Sequence, residues 1–183
     1  AFVVETMGRT CGFLPLMGGI AGGAEKSYLP ESQVSLPELA EDIEALVDAF
    51  ETGRTFYLAV MGESTSEHYT SDVIAKMFEA EGQGRFSVRQ AIVGHIQQGG
   101  VPSPFDRINA TRLAYHGIAW LDAQIQGGKT EYGAAESGVE GLIAPARRVL
   151  EGMDWENQRP YEQWWWKLRS VADRLTRHPG QWE

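Results

Sequence analysis

Residues 35–61 read SLPELAEDIEALVDAFETGRTFYLAVM, and this stretch decides the fold class. Ser35 with Glu38 three residues later is a capping-box pattern, in which a hydroxyl accepts from an otherwise unpaired N–H at a helix start. Leu39, Ile43, Leu46, Val47 and Phe50 then recur at the spacing of one apolar helical face. Glu38, Glu41, Asp42, Glu44, Asp48 and Glu51 make the solvated acidic face of the same helix, and Gly53 suits its C-terminal stop. The near-continuous apolar run from Phe56 to Met61 fits a strand buried on both faces. An amphipathic helix feeding such a strand through a short link is a unit of a parallel sheet flanked by helices.

The same alternation continues on both sides. Phe2 to Glu5 is β-branched and aromatic, and Gly8 breaks it. Thr10 is placed to cap a helix whose apolar positions, Phe13, Leu14, Leu16, Met17 and Ile20, run nearly all round, as in a buried helix. Ser27-Tyr28-Leu29 makes a short strand stopped by Pro30. Ser71 to Glu81 is helical, with Val73, Ile74, Met77 and Phe78 on one side, and Phe86 to Val93 is the next strand. Ser103, Pro104 and Asp106 repeat the capping pattern, and Phe105, Ile108, Tyr115, Ile118, Leu121 and Ile125 mark a long helix ending at Gly127-Gly128. Residues 129–160 are poorly periodic and are expected to be mostly irregular, with a strand at Gly141 to Ile143. Gln163 to Leu175 is expected to form a closing helix. Ala1 to Glu5 reads as the middle of a buried strand, without an initiator Met or a signal-peptide charge pattern, so a segment of a longer protein is expected.

Composition narrows the function classes. The chain has 183 residues, one ordinary domain's worth. Sixteen Lys plus Arg against twenty-five Asp plus Glu gives a net charge of −9, which argues against nucleic-acid or anionic-membrane binding. At 43% hydrophobic and 22% charged, the chain is globular rather than disordered. The uncharged stretch from Thr10 to Ala24 is shorter than the roughly 20 residues a bilayer needs, and it contains Pro15. The single cysteine, Cys11, excludes an internal disulfide and a cysteine-rich zinc site, so a reducing compartment is the default and an inert thiol the expectation. His68, His95, His116 and His178 lack paired metal-ligand spacing, and no Walker or dinucleotide loop is present.

In helix-flanked parallel sheets, ligands bind at the carboxyl ends of the strands. Those ends are followed here by Met7-Gly8-Arg9, by Gly62-Glu63 and by His95-Ile96-Gln97-Gln98-Gly99-Gly100. An arginine beside free N–H groups at a helix start suits a phosphate ester. A carboxylate such as Glu63 orients a sugar hydroxyl, and His95 can donate to either group. Taken singly, Arg9 also fits a surface ion pair, Glu63 a solvated loop carboxylate, and His95 a hydrogen-bonded structural histidine. Together they point to a phosphorylated metabolite, and chemistry alone stops there.

Phe2-Val3-Val4-Glu5-Thr6-Met7-Gly8-Arg9, followed by Cys11-Gly12-Phe13-Leu14, resembles the Met-Gly-Arg segment of the 6-phosphofructokinase family. Gly94-His95-Ile96-Gln97-Gln98-Gly99-Gly100, followed by Pro102 and Phe105-Asp106-Arg107, resembles that family's Gly-His-Ile-Gln-Arg-Gly-Gly segment. Gln163-Trp164-Trp165-Trp166-Lys167-Leu168-Arg169 resembles the closing segment of the animal enzymes. The resemblance covers the whole chain but only the later part of one unit. It implies an α/β, doubly wound, parallel-sheet phosphofructokinase-like fold, present in part. Residues 1–100 would form a sugar-phosphate-binding lobe, residues 101–150 a long helix and irregular segment of the nucleotide-side lobe, and residues 151–183 a helix returning to the sugar-phosphate lobe.

By that resemblance Met7, Gly8 and Arg9 hold the sugar phosphate, Glu63 binds sugar hydroxyls, and His95, with Ile96, Gln97 and Gln98 beside it, contacts the phosphorylated sugar. Arg89 matches an arginine that reaches a neighbouring subunit's or half's site. Arg169 matches a late arginine that contacts bisphosphate in the fused, double-length enzymes, and Gly23 and Glu25 match part of a nucleotide-effector site. The family's catalytic half has Arg where this chain has Gln98. The Gln-Gln-Gly-Gly version is typical of the C-terminal, regulatory half, which binds fructose 2,6-bisphosphate. Arg9, by contrast, is the catalytic-half residue; the animal regulatory halves have Gly there. The expected parent transfers phosphoryl from Mg2+-bound ATP to fructose 6-phosphate, as a cytoplasmic glycolytic homo-oligomer. A catalytic half and a pyrophosphate-dependent homologue are the alternatives. The ATP-phosphate glycines and catalytic Asp belong to the earlier part of a unit, so no catalytic residue, metal or cofactor site is expected in this segment, and it is expected to be inactive alone.

Overall fold

The computed structural model describes residues 1–135 and 143–175. Gly141 and Leu142 of the expected strand, and His178, lie outside the described residues. The chain divides into two compact units: Ala1–Gln98 with the segment from Gln163 onward, and Gly99–Glu162.

The first unit carries the strand–helix alternation. Its strands are β1 (Phe2–Thr6), β2 (Lys26–Tyr28), β3 (Leu58–Gly62) and β4 (Arg89–Ile92), and its connecting helices are α1 (Phe13–Gly22), α2 (Leu36–Glu51) and α3 (Ser71–Gly82). The sheet order is β2-β3-β1-β4, and every pair is parallel. Val3 stands opposite Ala59 on one side and Gln90 on the other, while Tyr28 stands opposite Met61. Helices on both faces make this the helix-flanked parallel sheet that the periodicity called for, and the doubly wound α/β fold that the resemblance implied. The main core joins Val3, Tyr28, Ala59 and Met61 of the strands to Leu39, Ile43 and Leu46 of α2 and Ile74 and Phe78 of α3. Each Val, Leu, Ile, Met or Phe among them stabilises the fold by about 1.5–3 kcal/mol when fully buried.

Capping follows the sequence in part at α2. Ser35 accepts from the Glu38 N–H at 3.4 Å, but the Glu38 carboxylate turns to Lys26 at 3.1 Å, so the box is left half-made. At α3 the cap is Thr70, which accepts from the Val73 N–H. Ser71, the first residue of α3, is buried and bonds Glu5 and Gln90. Thr10 does not cap α1. The helix begins after Gly12, with no side-chain cap of its own, and the Gly12 N–H donates to the Glu31 carboxylate at 2.9 and 3.1 Å.

Nor is α1 buried all round. Pro15, Leu16 and Gly19 are buried while Leu14 is 39% exposed, because α1 lies mainly over β2 and β3. The β1–β4 half of the sheet is less covered: Phe2 is 40% exposed and all four β4 positions are exposed. The C-terminal segment, a 3-10 turn (Trp164–Leu168) leading into α6 (Arg169–Leu175), adds to the α1 side rather than forming the single helix expected. Leu16, Leu29, Trp165 and Ala172 form the core there.

In the second unit α4 (Pro104–Gly127) has the complete capping box. Ser103 Oγ accepts from the Asp106 N–H at 3.2 Å and the Asp106 carboxylate accepts from the Ser103 N–H at 2.8 Å. Gly128 closes α4 at φ +61°, in the left-handed region that favours glycine. No side chain of α4 is buried. The stretch expected to be irregular carries short elements: β5 (Gly133–Ala135) paired antiparallel with β6 (Ile143–Pro145), α5 (Ala146–Glu151), and β7 (Met153–Asp154) paired with β8 (Arg159–Pro160). They are too short to show a hydrophobic period. Among the described residues no helix is long and apolar enough to cross a membrane.

Candidate functional site

Three chain reversals meet at the carboxyl ends of β1, β3 and β4. The Glu63 N–H donates to the Thr6 carbonyl at 2.9 Å, so the residue after β3 is fixed against the end of β1. Behind it, buried Thr65 accepts from the Gly62 N–H at 3.1 Å and donates to the Tyr28 carbonyl at 3.2 Å, which locks the turn that presents Glu63.

The loop from Met7 to Gly12 is pinned by side chains of other segments. Gln97 Oε1 accepts from the Met7 N–H at 3.1 Å, and Glu63 Oε1 accepts from the N–H groups of Gly8 at 3.3 Å and Arg9 at 3.0 Å. The Cys11 N–H returns to the Gly8 carbonyl at 2.9 Å, and Glu31 takes the Gly12 N–H. The backbone here forces unusual conformations. Gly8 has φ +145°, and a Cβ there would lie 2.7 Å from the Cys11 carbonyl oxygen. Arg9 has φ +46°, a conformation that is uncommon and costly outside glycine.

These bonds correct one expectation. The N–H groups beside Arg9 are not free for a phosphate, because Glu63 and Glu31 already accept from Gly8, Arg9 and Gly12. A bound anion would therefore meet the exposed guanidinium of Arg9 rather than this row of amides. Glu63 likewise holds the loop with Oε1, and Gln97 serves the loop rather than pointing outward.

The remaining nominated residues fall in three places. His95, Ile96 and Gln98 belong to the 3-10 turn Gly94–Gln98 after β4, with Ile96 83% exposed and His95 and Gln98 exposed as well. Arg89 begins β4, opposite Phe2, and so stands at the amino end of the sheet, away from the Arg9 loop, on the open edge. Gly23 is the left-handed cap of α1. Glu25 pairs with Arg54 at 2.6 Å and accepts from the Leu58 N–H at 2.7 Å, so both its oxygens serve the amino end of β3.

Arg169 is held by aromatic packing. Its guanidinium lies 5.2 Å from the Trp166 ring centroid, an arrangement that orients a cation without neutralising it. Trp165 is buried and Trp164 is 64% exposed, so the three tryptophans divide between core and surface. Phe13 meets Trp164 and Trp165 edge-on at 6.0 and 6.1 Å.

Sequence reasoning missed Glu31 and Thr65. The rule that nominated the other loops would have reached Glu31, which follows the carboxyl end of β2 after Pro30. Among the described residues no group of three or more His, Cys, Asp or Glu could hold a metal.

The phosphofructokinase family model matches residues 1–121. The human platelet-type ATP-dependent 6-phosphofructokinase is 33% identical over 192 residues, covering 100% of this chain and 24% of that protein. ATP-dependent 6-phosphofructokinase 1 of Caenorhabditis elegans is 32% identical, covering 97% of the chain and 23% of the relative. Among solved structures, phosphofructokinase from Saccharomyces cerevisiae superposes with a TM-score of 0.84 at 28% identity, over 96% of this chain and 26% of that one. Pichia pastoris phosphofructokinase in the T-state gives 0.82 at 30% identity, over 96% and 22%. The chain thus spans about a quarter of the length of the curated relatives it matches.

Proposed function

The chain belongs to the phosphofructokinase family, and from that premise we propose that it is the fructose-phosphate-binding part of a unit in an ATP-dependent 6-phosphofructokinase, in the half that binds fructose 2,6-bisphosphate as an effector. The observation that carries this reading is the Met7–Arg9 loop. Glu63 and Gln97 pin its backbone, and the Arg9 side chain is left exposed at the carboxyl edge of the sheet. Such an edge binds an anion by a guanidinium carried on a fixed backbone, and phosphoryl transfer would need a donor site and a base from elsewhere in the parent.

Gln98 favours the effector half. A neutral amide in place of a guanidinium gives up a charge-assisted hydrogen bond of about 1.5–3 kcal/mol, roughly ten- to a hundredfold in sugar-phosphate affinity. Arg169, oriented on Trp166, supplies a second cation for a second phosphate. The position of Arg89 on the edge strand β4 supports a role toward a neighbouring subunit or half of a homo-oligomeric parent. Arg9 favours a second reading, the acceptor side of a catalytic half binding fructose 6-phosphate.

Steady-state turnover of the intact parent carrying Glu63→Gln, with and without fructose 2,6-bisphosphate, tests the two. The amide keeps an oxygen for the Gly8 and Arg9 N–H groups and removes the charge. Normal basal turnover with the bisphosphate response gone is expected. Lost turnover at saturating ATP would replace the effector reading with the catalytic one.

A further inference from the structure

We propose that Glu31 is a positioning residue that ties the Arg9 loop to the Arg169 segment, so that the two arginines take the two phosphates of one ligand as a unit. This rests on the effector reading above. Glu31 is far in sequence from both arginines, yet its carboxylate touches the chain close to each. Both its oxygens accept from the Gly12 N–H, at 2.9 and 3.1 Å, and Oε1 also accepts from Gln163 Nε2 at 3.1 Å. Gly12 lies three residues after Arg9 and Gln163 six before Arg169.

The contact is built into the fold. A Cβ on Gly12 would come 2.5 Å from Glu31 Oε2 and 3.1 Å from Leu29 Cβ, so a glycine is needed for the carboxylate to seat. A second tether runs alongside: Phe13, the next residue, meets Trp164 and Trp165 edge-on, and the turn they begin ends against Trp166 and Arg169. The carboxylate has an electrostatic consequence as well. It occupies the amino end of α1, where a helix otherwise attracts anions. An incoming phosphate is repelled from that end and is directed to the guanidinium groups.

The test is a thermodynamic cycle on the intact parent enzyme, with calorimetric titration of fructose 2,6-bisphosphate and of fructose 6-phosphate. Gln163→Ala cuts the tie while sparing the Gly12 bond, Glu31→Ala cuts both, and Arg169→Ala removes the cation. Gln163→Ala and Glu31→Ala are expected to weaken the bisphosphate about three- to tenfold, the range of one or two ordinary hydrogen bonds, and to leave fructose 6-phosphate unchanged. In the Arg169→Ala background neither should cost more, because residues acting through one another are non-additive. Glu31→Gln, which keeps an accepting oxygen, should recover most of the affinity.

Losses that multiply independently in the double variants would overturn the proposal. So would variants that lower the unfolding temperature with bisphosphate affinity intact, which would make Glu31 a helix cap only. If Arg169→Ala itself binds the bisphosphate normally, the effector reading fails and this inference with it. A loss in Arg169→Ala with none in Gln163→Ala or Glu31→Ala sinks this inference alone.

Discussion

Arg9 occupies a left-handed backbone conformation, φ +46°, at the point where the proposed site calls for its side chain. Strain of that kind persists where the surroundings over-determine it, here the Glu63 bonds to the Gly8 and Arg9 N–H groups. Three substitutions separate the strain from the charge. Left-handed geometry costs an ordinary residue about 1–2 kcal/mol, and glycine escapes it while losing about 0.5–1 kcal/mol more backbone entropy on folding. Arg9→Gly should therefore stabilise the enzyme by about 0.5–1 kcal/mol. Arg9→Ala keeps the strain and should be neutral in stability. The Arg9 N–H bond to Glu63 is common to all variants and cancels.

Both variants lose the guanidinium and should bind fructose 2,6-bisphosphate about ten- to a hundredfold more weakly. Arg9→Lys keeps the charge, loses the fork geometry, and should fall between. Denaturant midpoints and calorimetric affinities of the intact parent read both effects. Equal stability gains in the Gly and Ala variants would refute the strain argument, and wild-type affinity in both would remove Arg9 from the site. By the resemblance, glycine at this position marks animal regulatory halves, so the wild type here would hold a charge at the expense of backbone ease.

Three further outcomes follow from other parts of the molecule. Burial acts to lower the Lys26 ammonium, but Asp42 and Glu38 outweigh it and hold it above the ordinary lysine value of 10.5. Its stabilising effect is thus complete below that value and is lost as pH rises through the higher folded value. Lys26→Met should lose about 1–3 kcal/mol at neutral pH and abolish that alkaline limb. Burial already pushes the Asp42 carboxyl up, and without Lys26 it should rise further, so the variant should regain stability on acidification; pH-dependent denaturation checks both signs. In Gly82→Ala the new Cβ would fall 2.8 Å from the Phe86 ring, itself stacked on Phe50 at 4.5 Å, and should cost about 1–3 kcal/mol by overpacking. Gly18→Ala, with nothing within 4 Å, should instead gain about 0.5–1 kcal/mol in thermal unfolding. Ile118 and Leu121 of α4 are 69% and 53% exposed, so the 183-residue chain alone should self-associate in sedimentation, and Ile118→Lys with Leu121→Lys should reduce it.

The strands and helices were legible wherever a long period or a complete cap was available. Leu39, Ile43 and Leu46 lie buried on one face of α2, as their spacing says, and Ser103 with Asp106 starts α4 with both bonds made. Caps formed by distant residues left no local trace. Thr10 was the nearest hydroxyl to α1, but Glu31, nineteen positions beyond Gly12, supplies the acceptor. The same holds for the site: residue type and strand ends nominated Arg9, Glu63 and His95 and the resemblance added Gln97, whereas sequence could not tell that Glu63 and Gln97 hold the loop's backbone.

Hydrophobic spacing in α4 raises a different problem. Phe105, Ile108, Tyr115, Ile118, Leu121 and Ile125 recur as a buried face would, yet they are 53–75% exposed. In the first unit the all-parallel sheet leaves β4 exposed at every position, although parallel sheets are ordinarily covered on both faces. A periodic pattern records which surface is built to be covered, and burial records what covers it. Exposed surfaces of this kind in both units are expected to be covered by contacts from outside this chain. Relatives about four times its length supply a source for those contacts. The stability of each unit is then expected to rise with that cover, which is why binding experiments on Arg9, Glu31 and Arg169 belong in the intact parent.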